Sequence, residues 1–173
     1  ATERAERALL EAGVPGGGRA DLLMLRRRLG EANIHASRYA AAREILAPLP
    51  KALAAELGPH NRATLQARSM LARLDLHRGR LRAALPALEA VLADMVAHLG
   101  KTDHSALVTA HDVAIADMEL GHLDRARERL ERLLPSVIEA WGEGSHNVRA
   151  VRSYLAAVYL ESEDAAGARE VLA

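Results

Sequence analysis

The chain has 173 residues and 50% of them are hydrophobic, which suits one compact domain or a short helical array with a continuous core. The 23 basic and 23 acidic residues cancel, which excludes the strongly basic surface that attracts nucleic acids or anionic membranes. Because there is no cysteine, disulfide scaffolds, thiol nucleophiles and cysteine-ligated zinc sites are excluded as well.

The composition also indicates the fold class. Aromatic residues make up 2% of the chain and phenylalanine is absent, so Ala, Leu and Val carry the apolar content. This favours packed helices over sheets and predicts an all-α protein. No apolar run approaches the ~20 residues of a membrane-spanning helix, and no signal peptide is visible. The chain begins with Ala1 and looks like a fragment; we expect a cytoplasmic location and neither nucleic acid nor membrane as partner.

The first predicted element is a helix within residues 1–14. Its alanines and Leu9 recur at spacings of three and four residues, and the glycines and proline of 13–18 then stop it. We interpret it as the orphan second helix of a truncated preceding repeat.

Four helix pairs are predicted to follow, at about 21–56, 57–98, 99–140 and 141–173. In each pair a helix A runs to a punctuating residue, and a helix B follows at once. These punctuating residues are Ser37, Gly79, Gly121 and Glu163. Glycine suits a tight turn because it accepts positive φ, whereas serine and glutamate are weaker turn signals.

Three series of residues recur every 42 positions and set the register. Small residues on helix A stand at Gly30, Ala72, Ala114 and Ala156. Alanines follow twelve positions later, at Ala42, Ala84, Ala126 and Ala168. Leucines come four positions after those, at Leu46, Leu88, Leu130 and Leu172. A period of this size predicts stacked supersecondary units.

The B helices of the second and third pairs each have one apolar face. By spacing, the second buries Leu81, Ala84, Leu85, Leu88, Val91, Leu92 and Met95. The third buries Leu123, Ala126, Leu130, Leu133, Leu134 and Val137. Pro86 and Pro135 lie inside these helices, where we expect bends but no breaks.

These residues resemble tetratricopeptide repeats, in particular the 42-residue kind found in kinesin light chain and in many bacterial signalling proteins. Gly79 and Gly121 match the family's turn glycine, and the segment 84–88 looks like its alanine, any residue, proline, leucine signature. His104 and His146 lie near its linker histidine. The resemblance covers residues 21–173. It implies a right-handed α-solenoid of antiparallel helix pairs that binds proteins or peptides and has no catalytic activity.

The sequence departs from the family at the aromatic positions of helix A. The first of these positions is occupied by Arg26, Arg68, Ala110 and Arg152. The second is occupied by Asn33, Asp75, Asp117 and Tyr159. We therefore expect partly polar packing between helices A and B, in which buried charges such as Arg68 and Asp75 must be paired or hydrogen-bonded.

No motif predicts catalysis, a cofactor or a metal. His104 and His111 could share a helical face beside Asp112, but the two histidines do not have the HExxH spacing of zinc metalloproteases. We interpret His104 as a linker histidine and His111 as a groove histidine. The glycines at 16–18 are not followed by the lysine and the serine or threonine of a phosphate-binding loop. The acidic residues at 161–164 lie at a predicted turn, and we interpret them as a solvated patch and not as a catalytic acid/base pair.

The predicted partner site is the face of helix A opposite the small-residue seam, which lines the concave groove in the resembling family. It comprises Arg27, Glu31, His35, Gln66, Ser69, Met70, Arg73, His77, Val108, His111, Asp112, Ile115, Glu119, Ser153, Tyr154 and Ala157. We expect an extended segment with an apolar anchor near Met70, Ile115 and Tyr154. Its acidic end would lie toward Arg27 and Arg73.

The leading hypothesis is therefore a protein–protein interaction scaffold that forms the regulatory part of a larger bacterial signalling or regulatory protein. One alternative is a domain that responds to a small ligand or signalling peptide. Another is a structural spacer or a homodimerisation module that pairs through exposed array ends, which would fray first at 1–14 and 163–173.

Overall fold

The computed structural model describes residues 18–172, and every regular element in this range is an α-helix. The helices are α1 (Arg19–His35), α2 (Tyr39–Leu46), α3 (Leu49–Leu57), α4 (Arg62–His77), α5 (Leu81–Leu99), α6 (His104–Glu119), α7 (Leu123–Trp141), α8 (His146–Glu161) and α9 (Ala165–Leu172). The all-α prediction is confirmed. The helix predicted within 1–14 lies outside the described residues.

The chain divides into two compact units, the first running to Leu74 and the second starting at Asp75, within α4. Each has its own buried core. The division into four helix pairs at 21–56, 57–98, 99–140 and 141–173 stays a prediction.

The core of the first unit is formed by α1, α2, α3 and the part of α4 that belongs to it. Its buried members are Leu23, Ile34, Ala42, Leu46, Leu49, Leu53, Ala63, Ala67, Met70 and Leu74. Gly30 of the small-residue series is buried, and a Cβ placed there would overlap the side chain of Leu46. The close approach of α1 and α2 therefore requires a glycine at this position.

The first helix B differs from the prediction because it is interrupted between Leu46 and Leu49. Pro48 and Pro50 have no N–H to donate to the carbonyls of residues 44 and 46, so two helical hydrogen bonds are missing. Pro48 still has helical dihedrals, with φ −79° and ψ −17°, so the backbone stays helical at this residue. Pro86 and Pro135 lie within continuous helices, as predicted.

In the second unit, successive helices from α5 to α9 pack on one another. One core cluster comprises Leu107, Ala114, Ala126, Leu130, Leu133, Val137, Val148, Val151, Leu155 and Val158. Ala114 and Ala126 are both 0% exposed, which fits the predicted small-residue positions of helices A and B. Leu172 departs from its series, because it is 59% exposed whereas Leu130 is fully buried.

All four predicted turns between helices A and B form, and they share one geometry. The punctuating residues have positive φ: 56° at Ser37, 69° at Gly79, 79° at Gly121 and 61° at Glu163. In each turn the next residue donates its N–H to the carbonyl five positions earlier, at 2.8–2.9 Å, as from His122 to Asp117. This is the Schellman arrangement. Ser37 and Glu163 thus adopt a conformation that favours glycine.

Three A helices, α4, α6 and α8, begin at side-chain caps that were not predicted from the sequence. Asn61, Asp103 and Ser145 stand 42 residues apart. Asp103 Oδ1 accepts from the Ser105 N–H at 2.9 Å, and Asn61 and Ser145 accept in the same manner. A polar side chain at this position satisfies N–H groups that the first turn leaves open. His104 follows the cap, and its ring meets that of Trp141 edge-on at 5.0 Å.

Candidate interaction surfaces

The predicted face of helix A is best defined in the second unit, where α6 and α8 contact each other. The rings of His111 and Tyr154 meet edge to face, with centroids 5.0 Å apart and an interplanar angle of 75°. Val108, Ile115 and Ala157 are half-buried, as are the two rings. Edge-to-face contacts are a favoured geometry for aromatic rings. The structure therefore brings the rings of His111 and Tyr154 together on neighbouring helices. We call these two residues and the half-buried Val108, Ile115 and Ala157 of the same helices the A-face patch.

The other predicted residues of the second unit have different surroundings. Asp112 is 7% exposed and therefore offers a partner almost no surface. His77, Glu119 and Ser153 are exposed, and the Ser153 hydroxyl donates to the Arg149 carbonyl at 2.8 Å. The A-face patch is thus apolar, with polar side chains nearby.

In the first unit the predicted face contains an ion pair on α1. Arg27 Nη1 lies 3.8 Å from Glu31 Oε2, and the Arg27 side chain is only 13% exposed. His35 is exposed, and Gln66 and Arg73 are half-buried. These residues carry the polar part of the predicted site.

Two predicted site residues of the first unit are buried. Ser69 is 5% exposed and Met70 is 7% exposed. Met70 was expected to anchor a partner, but its side chain belongs to the core cluster of the first unit. Methionine is flexible and fills irregular gaps in cores, which explains why a spacing argument placed it on the wrong side.

The second unit contains an ionic cluster around one buried carboxylate, which the polar positions on helix A only partly predicted. Asp117 is 0% exposed. Its Oδ2 lies 2.8 Å from Arg129 Nε, and its Oδ1 lies 3.1 Å from His122 Nδ1 and 3.4 Å from Arg125 Nη2. Glu89 on α5 contacts the guanidinium groups of both arginines, 36 and 40 residues away in sequence. Two carboxylates and two guanidinium groups therefore neutralise each other between α5, α6 and α7.

Polar packing between helices A and B is found in the third repeat, where Asp117 of α6 pairs with Arg125 and Arg129 of α7; the equivalent residues of the other repeats make other contacts. Asn33 donates from Nδ2 to the Leu29 carbonyl at 2.8 Å. Asp75 Oδ1 lies 3.5 Å from Arg80 Nη1, and the Asp75 side chain is 22% exposed. At the fourth of these positions the residue is aromatic: it is Tyr159, and its hydroxyl donates a hydrogen bond to Glu131.

The hydroxyl of Tyr159 lies 2.7 Å from Glu131 Oε1. This hydrogen bond raises the pKa of Tyr159, because the bond exists only while the phenol keeps its proton; partial burial and the negative charge of Glu131 add to the rise.

Metal and membrane sites are not found in the described part of the chain. Within residues 18–172, no three His, Asp or Glu side chains come together as a metal site would require. None of the helices in this range combines the length and apolar character needed to span a membrane.

No protein-family model and no curated protein sequence matches the chain. Several solved structures do match the chain. A crystal structure of a kinesin light chain from Podosopora anserina with nearly identical TPR-like repeats matches with a TM-score of 0.70 and 22% identity, over 98% of this chain and 80% of that one. A variant of that protein with one substitution matches with a TM-score of 0.73 and 23% identity, over 98% and 79%.

BtubC (BKLC) from P. vanneervenii matches with a TM-score of 0.77 and 19% identity, over 98% of this chain and 68% of that one. These likenesses show that the chain has the TPR-like repeat fold, an all-α helical-repeat solenoid.

Proposed function

We propose that the chain is a protein–protein interaction scaffold that binds a peptide or protein partner on the A-face patch, the part of the predicted concave groove that lies in the second unit. The observation that carries the proposal is the half-buried contact between His111 and Tyr154. Tyrosine is enriched where interfaces concentrate their binding energy, and this chain has only three tyrosines.

The surroundings of the ring pair support the same function. Val108, Ile115 and Ala157 supply apolar area, while Glu119 and Ser153 are polar and exposed. An apolar centre with a polar rim is typical of protein interfaces. The TPR-like fold supports a scaffold without chemistry of its own.

We also propose that the chain is the regulatory part of a larger bacterial signalling or regulatory protein. The support is the resemblance to 42-residue repeats that occur in such proteins. The sequence of the complete gene tests this, because an attached kinase or DNA-binding domain would supply the context and its absence would count against it.

The binding proposal is tested by placing a photo-crosslinking amino acid at Ile115, identifying the captured protein and measuring its affinity for the purified chain. Tyr154→Ala is expected to weaken binding about thirtyfold, as for a residue worth ~2 kcal/mol at an interface. Helicity measured by circular dichroism should not change.

The matched control is Leu160→Ala, which removes a 60% exposed apolar side chain from the same helix α8. Residues 154 and 160 lie about 120° apart around the helix, so this change leaves the A-face patch intact. Unchanged affinity after both Tyr154→Ala and His111→Ala would show that the partner binds elsewhere.

A further inference from the structure

A second apolar surface lies on the other side of α6 from the A-face patch. It is a pocket of about 260 Å³ where α5, α6 and α7 meet, lined mainly by Leu92, Val96, Ala106, Leu107, Ala110 and Leu133. At about 100° per residue, the directions of Ala106, Leu107 and Ala110 average about 130° from those of Val108, His111 and Ile115, although Leu107 lies only about 40° from His111. The pocket is therefore separate from the surface assigned above.

Two positions beside this pocket differ in charge from the equivalent positions of the next repeat. The position of Ala110 carries arginine in the three other repeats, and in the fourth this residue is Arg152. Arg152 forms an ion pair with Glu143. Residue 101 stands at the position of Glu143, 42 residues earlier, and is a lysine. In the third repeat, alanine therefore stands in place of the arginine. At residue 101 a positive lysine stands in place of the negative glutamate that pairs with this arginine in the fourth repeat.

The charges around the pocket have one sign. Lys101, Arg129 and Arg132 line it, and no acidic residue does so within the described chain. Arg129 is held by Asp117 and Glu89, and Arg132 is held by Glu128. Lys101 is exposed and forms no ion pair with any residue of 18–172. Its ammonium group is therefore available to a carboxylate.

The size of the pocket selects the kind of occupant. A volume of about 260 Å³ is below the ~300–1,000 Å³ of typical small-molecule sites. It suits a single inserted side chain, and Val96, which is 44% exposed, continues the apolar surface beyond the pocket.

We propose that this pocket docks a segment of a partner protein that inserts one apolar side chain between α5, α6 and α7 and places a neighbouring carboxylate on Lys101. The apolar lining supplies the affinity, and the cationic mouth selects acidic partners. The chain then has two binding surfaces on different sides of α6.

The test titrates the full ¹⁵N-labelled chain with acetyl-Leu-Asp-amide and, as an uncharged match, with acetyl-Leu-Asn-amide. The aspartyl peptide should shift the backbone amide signals of Leu107, Ala110 and Leu133, with a millimolar Kd. The asparaginyl peptide should bind about threefold more weakly, as expected for one solvent-exposed ion pair. High salt should reduce that difference, because exposed charges are screened.

A double variant provides the control. Ala110→Arg combined with Lys101→Glu copies the Arg152 and Glu143 pair, which the fourth repeat already accommodates, so the fold should be kept. The reversed charge at residue 101 should repel the aspartyl peptide, which should then bind more weakly than the asparaginyl peptide.

Three results would overturn the proposal. One is unchanged binding by the Ala110→Arg, Lys101→Glu variant. Another is signal shifts confined to Val108, His111 and Ile115. The third is octanoate shifting the pocket signals while the dipeptide does not, which would assign the pocket to a free carboxylic acid.

Discussion

At the scale of single residues, Asp75 and Asp117 occupy the same repeat position and differ in their surroundings. The Asp117 side chain is fully buried within an ionic cluster. The Asp75 side chain is 22% exposed, and its partner Arg80 is 47% exposed. Because the contacts of the Asp117 carboxylate are shielded from water whereas those of Asp75 are partly solvated, the same truncation should have different consequences at the two sites.

We predict that Asp117→Ala lowers the free energy of unfolding by about 2 kcal/mol, because it removes the contacts of a fully buried carboxylate with Arg129, Arg125 and His122, while both arginines keep Glu89. Asp75→Ala should cost about 1 kcal/mol or less, since water and salt screen a partly exposed pair. Urea unfolding of both variants measures the difference. Equal costs would contradict the assignment of Asp117 as the buried member.

The bond between Tyr159 and Glu131 predicts a dependence of stability on pH. A tyrosine pKa that is raised in the folded state contributes stability that is fully present below the ordinary tyrosine pKa of about 10. This contribution is lost as the pH rises through the folded-state pKa. Stability should therefore fall at alkaline pH, in parallel with phenolate absorbance measured in a Tyr39→Phe, Tyr154→Phe background.

Glu131→Ala should return the pKa of Tyr159 toward its ordinary value, because it removes the hydrogen bond that is the largest cause of the rise. Glu128→Ala, at another exposed acid on α7, is the control and should leave the titration unchanged. An equal effect of both substitutions would assign the rise to general negative charge and not to the hydrogen bond.

At the scale of helices, the repeat is defined by how each helix ends. The four residues at 37, 79, 121 and 163 all have positive φ, although two of them are not glycine. For an L-residue other than glycine this backbone conformation costs roughly 1–2 kcal/mol, whereas glycine adopts it freely. The surrounding hydrogen bonds hold Ser37 and Glu163 in it.

We predict that Glu163→Gly raises the free energy of unfolding by up to about 1 kcal/mol, after allowing for the greater chain entropy of glycine in the unfolded state. Gly121→Ala, at φ 79° in the equivalent turn, should lower it by a similar amount. Thermal unfolding of the two variants checks the opposite signs. Destabilisation by Glu163→Gly would indicate that the glutamate side chain contributes a contact that outweighs the backbone strain.

The helices and their turns could be predicted because they depend on short-range spacing. The 42-residue recurrence of small residues and leucines identifies the repeat without any knowledge of contacts. The interruption at Pro48 and Pro50 was missed because three other B helices suggested a continuous rod. The caps at Asn61, Asp103 and Ser145 could have been found, since polar residues recur there at the repeat period.

The candidate sites were less predictable, because they depend on which side chains meet across helices. Helical spacing placed His111 and Tyr154 on the same kind of face, but only the structure shows their rings in contact. Spacing also placed Met70 and Asp112 on that face, whereas both are buried. The pocket beside Ala110 depends on how α5, α6 and α7 pack together, which the repeat pattern does not specify.

At the scale of the whole molecule, the chain has two separate cores. Leu46 and Leu49 are fully buried in the first unit, and Leu130 and Leu155 are nearly or fully buried in the second. In repeat proteins, stability is approximately the sum of local terms and the interfaces between neighbouring elements. A substitution in one core should therefore act mainly on the helices that share that core.

We predict that Asp117→Ala reduces amide hydrogen-exchange protection in α6 and α7 more than in α1, α2 and α3. Leu49→Ala, which should cost about 2–5 kcal/mol in the first core, should show the reverse pattern. Hydrogen exchange followed by mass spectrometry distinguishes the two patterns, because each core then opens with its own free energy. If either variant instead lowers protection equally along residues 18–172, the chain unfolds as a single cooperative unit, and the two cores are not independent.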